Sequence, residues 1–122
     1  MIQHTDKPPK ADRDFLLKAL KEDGQLLKRA AKTLQADREV VLVAVKAFGR
    51  ALQYAAEPLQ ADREIVLEAV KQDSRALEFS HQDLKADRGV ILAAVKQYGY
   101  SLEEAHDSLK ADHEVVLEAM KQ

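Results

Sequence analysis

The chain has 122 residues, a third of them charged and nearly half apolar, with a formal net charge of −2. That is one domain's worth of sequence with few glycines and prolines, the composition of a folded helical protein and not of a disordered one. So small a net charge gives no general reason to expect a nucleic acid or an anionic membrane as partner, and the absence of cysteine excludes disulfides and thiolate chemistry.

Residues 1–8 read as a polar leader, expected to be frayed. No apolar core segment occurs up to Arg13, so neither a secretory signal nor a membrane span is expected, and a cytoplasmic location follows as the expectation. From residue 9 to residue 122 the chain reads as one helical repeat domain. Ala11, Ala36, Ala61, Ala86 and Ala111 recur at intervals of 25 residues without insertion. The copies span 9–33, 34–58, 59–83 and 84–108, and a partial copy covers 109–122. A fixed period of this length is the signature of a solenoid. Charge is uneven along it: residues 9–33 carry seven Lys/Arg against four Asp/Glu, and residues 59–83 carry three against six.

Within a copy the pattern predicts a longer helix, a turn, a shorter helix and a linker. In 34–58, Asp37 stands where an N-cap belongs and Glu39 beside the positive end of the helix dipole. Val40, Val41, Ala44, Val45 and Phe48 form one apolar face at helical spacing. Lys46 falls in the last turn, and Gly49 is expected to end the helix in the left-handed conformation, as are Gly24 and Gly99; Ser74 breaks that pattern at a small cost. The shorter helix, around Ala51, Leu52 and Ala55, is too short to be stable unless packed. Leu42 lies about 60° outside the arc of the apolar face. With Leu17, Leu67, Leu92 and Leu117 it is expected to be buried from both flanks, which requires neighbouring copies to stack. The last copy keeps the internal apolar pattern at Val115, Val116, Leu117, Ala119 and Met120, so either an uncapped C-terminal helix offers end-to-end self-association or the chain is a piece of a longer array.

The shared consensus ADREVVLxAVKxxGxALxxA resembles a tandem repeat family known only as a domain of unknown function. The match runs from about residue 9 to residue 122 and is weakest in the first copy, where DRDFLLKALKEDG departs from it. Gly89 replaces an acid, and His113 replaces the arginine of the last copy. The resemblance implies a small all-α module and brings no activity with it.

Several columns of like residues invite a chemical reading. Arg13, Arg38, Arg63 and Arg88 form a row, as do Lys21, Lys46, Lys71, Lys96 and Lys121. Such rows can track a phosphate backbone, and Lys28, Arg29 and Lys32 would add to them. The simpler reading pairs the arginines with acids at neighbouring helix starts and sets the lysines against negative helix ends. His81 and His106 are one repeat apart, too far to share a zinc ion, and no HExxH or His i, i+4 pair occurs. No metal, no cofactor and no catalytic constellation is therefore expected.

These features predict an all-α, solenoid-like array of about four and a half helix-turn-helix repeats, acting as a non-enzymatic scaffold for a protein partner. Binding residues on solenoids vary where core columns stay fixed. The candidate contact surface is thus the variable columns Arg29, Tyr54, Phe79, Glu104 and Glu22, Ala47, Gln72, Gln97. A polyanion binder and a structural spacer within a longer repeat protein are the alternatives.

Overall fold

The structure, a computed structural model, describes residues 10–121; the leader expected to be frayed lies outside the described residues. Every regular element among them is helical, and the array is an α-solenoid with three helical pieces per repeat. The long helices are α1 (Lys10–Glu22), α3 (Arg38–Ala47), α5 (Arg63–Gln72), α6 (Arg88–Gln97) and α8 (His113–Met120). The expected short helices are tighter 3₁₀ segments: η1 (Gly24–Arg29), η2 (Gly49–Tyr54), η3 (Ser74–Phe79) and η5 (Gly99–Glu104). Six residues give few turns for α-type bonding, and i→i+3 bonds close a turn with less chain. The expected linker is a third helical piece: α2 (Lys32–Gln35), α4 (Glu57–Gln60), η4 (Gln82–Ala86) and α7 (Asp107–Lys110).

The aspartates start the long helices as their spacing predicts. Asp37 accepts from the N–H groups of Glu39 and Val40, while Asp62, Asp87 and Asp112 accept from Ile65, Val90 and Val115. Each satisfies a donor that the first turn leaves without an intrahelical acceptor. Asp12 differs, because α1 is already under way at Lys10 and Asp12 sits inside its first turn.

The glycine expectation is corrected. No described glycine has positive φ. The long helices end at Phe48, Asp73 and Tyr98 in extended conformations whose N–H groups still donate to Ala44, Ala69 and Ala94. Glycine follows because the next repeat comes close. A Cβ on Gly24 would collide with the carbonyl oxygen of Ala44, and one on Gly49 with that of Ala69. Ser74 therefore carries no left-handed strain; it occupies the same buried position with its small side chain.

Neighbouring long helices stack in sequence, and the 3₁₀ segments stack beside them. Val40, Val41, Ala44 and Val45, with their equivalents in α5 and α6, are fully buried, as are Leu27, Leu52 and Leu77 from the 3₁₀ segments. One continuous core results. The Leu42 column is corrected in degree: Leu17, Leu42, Leu67 and Leu92 are only partly buried against this core, and Leu117 is exposed. Stacking seals the apolar face itself, and the leucine flank forms its rim. On the third side, backbone N–H groups cross between repeats: Ala56 to Gln35 O (3.0 Å), His81 to Gln60 O (2.9 Å) and His106 to Lys85 O (2.8 Å). No helix among the described residues is long and apolar enough to cross a membrane.

Candidate functional site

The arginine row is engaged inside the array. Arg13 donates to both carboxylate oxygens of Asp37 (2.9 and 3.1 Å) and to Glu39 (2.6 Å). Arg38 repeats this with Asp62 (2.9 Å) and Glu64, and Arg88 with Asp112 (2.9 Å) and Glu114. Arg63 meets Asp87 at 2.7 Å, but Gly89 supplies no second acid, and the guanidinium fills the space that a Cβ at 89 would need. Each Asp thus caps its own helix and grips the preceding repeat. Hydrogen bonds from the arginines hold the carboxyls of Asp37, Asp62, Asp87 and Asp112 below the ordinary 3.8, with backbone N–H groups adding to the effect; burial opposes it. Asp73 is lowered in the same way by Arg75.

Lys21, Lys46, Lys71 and Lys96 project from the last turns, Lys121 follows the end of α8, and all five are exposed. Between Lys21 and Lys46 runs a shallow groove of about 330 Å³ lined by Val43 and Ala47. The histidines cap: Nδ1 of His81 accepts from Asp83 N–H (3.0 Å) and Nδ1 of His106 from Ser108 N–H (3.1 Å). No three His, Asp or Glu side chains among the described residues converge on a metal position.

The two variable columns separate in character. Arg29 and Glu104 are exposed, and Glu104 lies 3.6 Å from Lys85. Tyr54 and Phe79 are half-buried and packed against the core, as side chains of two 3₁₀ segments in contact. Glu22 is exposed and Ala47 half-buried. Gln72 and Gln97 look outward but are not free. Gln72 Oε1 accepts from the N–H of Gly49, and Gln97 Oε1 from that of Ser74 (3.1 Å), while its amide donates to Val70 O (2.8 Å) and Lys71 O (2.6 Å). A column that reads as variable surface contains two clamps between repeats. The first junction lacks this clamp, because Ala47 has no acceptor to offer.

The end of the array formed by η5 and α8 is different. Among the described residues, the exposed large apolar side chains are Phe15 (75%), Tyr98 (50%), Tyr100 (69%), Leu117 (46%) and Met120 (74%). All but Phe15 gather at this end. The rings of Tyr98 and Tyr100 lie 5.3 Å apart and tilted by 56°. A groove of about 390 Å³ opens there, lined by Tyr98, Tyr100, Leu102, Val116, Ala119 and Met120. Leu102, Val116 and Ala119 belong to columns whose interior members are fully buried. The sequence signal was present: the last copy keeps the core pattern through Met120, and no helix among the described residues packs over that face. Leu102, Val116 and Ala119 stand in columns that vary little, so a count of variable columns passes over them, although Tyr98 and Tyr100 do vary from copy to copy.

No curated protein and no solved structure matches the chain. The family described as Domain of unknown function (DUF4116) matches residues 12–59, 37–85 and 87–122, in three overlapping or adjoining segments. Two of its segments each span about two of the 25-residue copies, as expected of a unit defined by a pair of stacked repeats. The chain therefore belongs to the family Domain of unknown function (DUF4116), as a tandem array of its helical repeats.

Proposed function

We propose that this chain is a non-enzymatic protein-interaction scaffold whose contact surface is the end formed by η5 and α8. The observation that carries the reading is the gathering of Tyr98, Tyr100 and Met120 around one apolar groove, with Leu117 also exposed on the helix that carries Met120. Clustered exposed apolar area, with tyrosines at its centre, is the composition of a protein-binding patch and an unfavourable surface to leave in water. The variable columns named from sequence support the reading less, because Gln72 and Gln97 are engaged within the array and Tyr54 and Phe79 are half-buried.

A polyanion reading is weakened by the arginine row, whose guanidiniums are taken up by Asp and Glu of the next repeat. Affinity capture with paired variants tests the choice. Tyr100→Ser with Met120→Ser should lose a bound protein that Lys46→Glu with Lys71→Glu retains. Loss with the lysine variant alone, together with steep weakening by salt, would move the function to the lysine row.

A further inference from the structure

Building on the protein-binding reading of the η5–α8 end, we infer that the partner seated there is the opposite end of a second copy of this chain. Copies would then join head to tail, and the repeat would run on across the junction. Exposure along the columns tells which way each one faces. Val40, Ile65, Val90 and Val115 are fully buried while Phe15, the first member of their column, is 75% exposed; that column faces the preceding repeat. Leu20, Val45, Val70 and Val95 are fully buried while Met120, the last member of theirs, is 74% exposed; that column faces the following repeat. The two ends therefore carry the opposite halves of the one interface this sequence builds between its own repeats.

The size of the side chains agrees. Phe15 is larger than the valines and isoleucine of its column, and the face it would meet holds a groove of about 390 Å³. Part of that groove's wall is Met120, where interior copies have valine; an unbranched thioether re-packs around a bulky neighbour more readily than a β-branched side chain.

Charge agrees as well. At each internal junction an arginine pairs with the acid 24 residues on. His113 stands in the arginine column at the last copy, and the exposed Asp12 and Asp14 stand in the acid columns at the first. Stacking in register brings His113 of one copy against Asp12 and Asp14 of the other. Residues 9–33 carry an excess of three positive charges, whereas residues 84–122 carry five Lys/Arg against seven Asp/Glu.

Such a contact is heterologous and, along a stacked array, does not close, so association should grow with concentration. Sedimentation velocity on the full chain across rising concentration tests it. The wild type should shift to larger species, whereas Phe15→Asp and Met120→Asp should each weaken association about tenfold or more. Both positions are exposed, so each variant should keep the wild-type helical signal and melting temperature. An equimolar mixture of the two should regain a species that stops at two chains, since each supplies the face the other lacks. His113→Arg should tighten the contact about two- to fivefold, and Asp12→Lys with Asp14→Lys should cancel that gain. A wild type monomeric to millimolar concentration, or Phe15→Asp associating like the wild type, overturns the inference. If the wild type is monomeric and Met120→Ser still loses a different bound protein, the protein-binding reading stands and only the copy-to-copy contact falls.

Discussion

At the scale of single residues, the aspartate column does two jobs with one carboxylate. Asp62, for example, caps α5 and accepts from Arg38 of the preceding repeat. The ion pair needs the charged form, and the negative charge also strengthens the cap at the positive end of the helix. The folded carboxyls lie below the ordinary 3.8, so their contribution is present above that value and is lost as pH falls through the folded value. Melting temperature should therefore hold from neutral pH to about pH 5 and fall below about pH 4, where the unfolded chain takes up protons first. Asp62→Asn with Asp87→Asn should flatten that fall. Sequence alone suggests that Gln72→Ala is neutral, a surface change worth less than about 0.5 kcal/mol. The amide that accepts from Gly49 N–H changes the expectation: loss of the acceptor should cost about 1 kcal/mol in urea unfolding. Gln72→Glu, which keeps an acceptor, should cost less.

At the scale of elements, the long helices are specified by their own sequence, whereas the 3₁₀ segments form by packing. Leu77 of η3 is fully buried, between α5, α6 and the neighbouring 3₁₀ segments. Leu77→Ala should cost about 2–5 kcal/mol through lost transfer energy and the cavity left behind. Leu67, partly buried on the rim of α5, should cost distinctly less when changed to Ala, about 1–2 kcal/mol. Equal losses in chemical denaturation would mean that the rim is as enclosed as the core. Capping aspartates and apolar periodicity were legible from local spacing. The third helical piece was not, because its four or five residues carry no period of their own and are tied down by bonds such as Ala56 N–H to Gln35 O.

At the scale of the molecule, every junction repeats the same stacking and the same arginine-to-aspartate pair, apart from the missing clamp at Ala47 and the missing second acid at Gly89, so stability should add up repeat by repeat. Excision of residues 59–83 should leave a folded, shorter array with an unchanged helical signal per residue and a lower melting temperature. In that variant Arg38 would meet Asp87 and lose the second acid, because Gly89 takes the place of Glu64. Loss of cooperative unfolding on excision would instead point to one privileged junction.

The 25-residue period, the capped long helices and the arginine-to-acid pairing were determined by the sequence itself, because each follows from interactions at fixed separations along the chain. Only the tertiary structure decided why the glycines are glycines, that Gln72 and Gln97 are clamps, and that the leucine flank is a rim. Those depend on how closely one repeat lies on the next, a distance that no local pattern encodes. The same holds for the open η5–α8 end. Leu102, Val116 and Ala119 there are core residues by pattern, whereas Tyr98 and Tyr100 stand in columns that hold Asp, Gln and Arg in other repeats, so only the fold shows that the five share one groove.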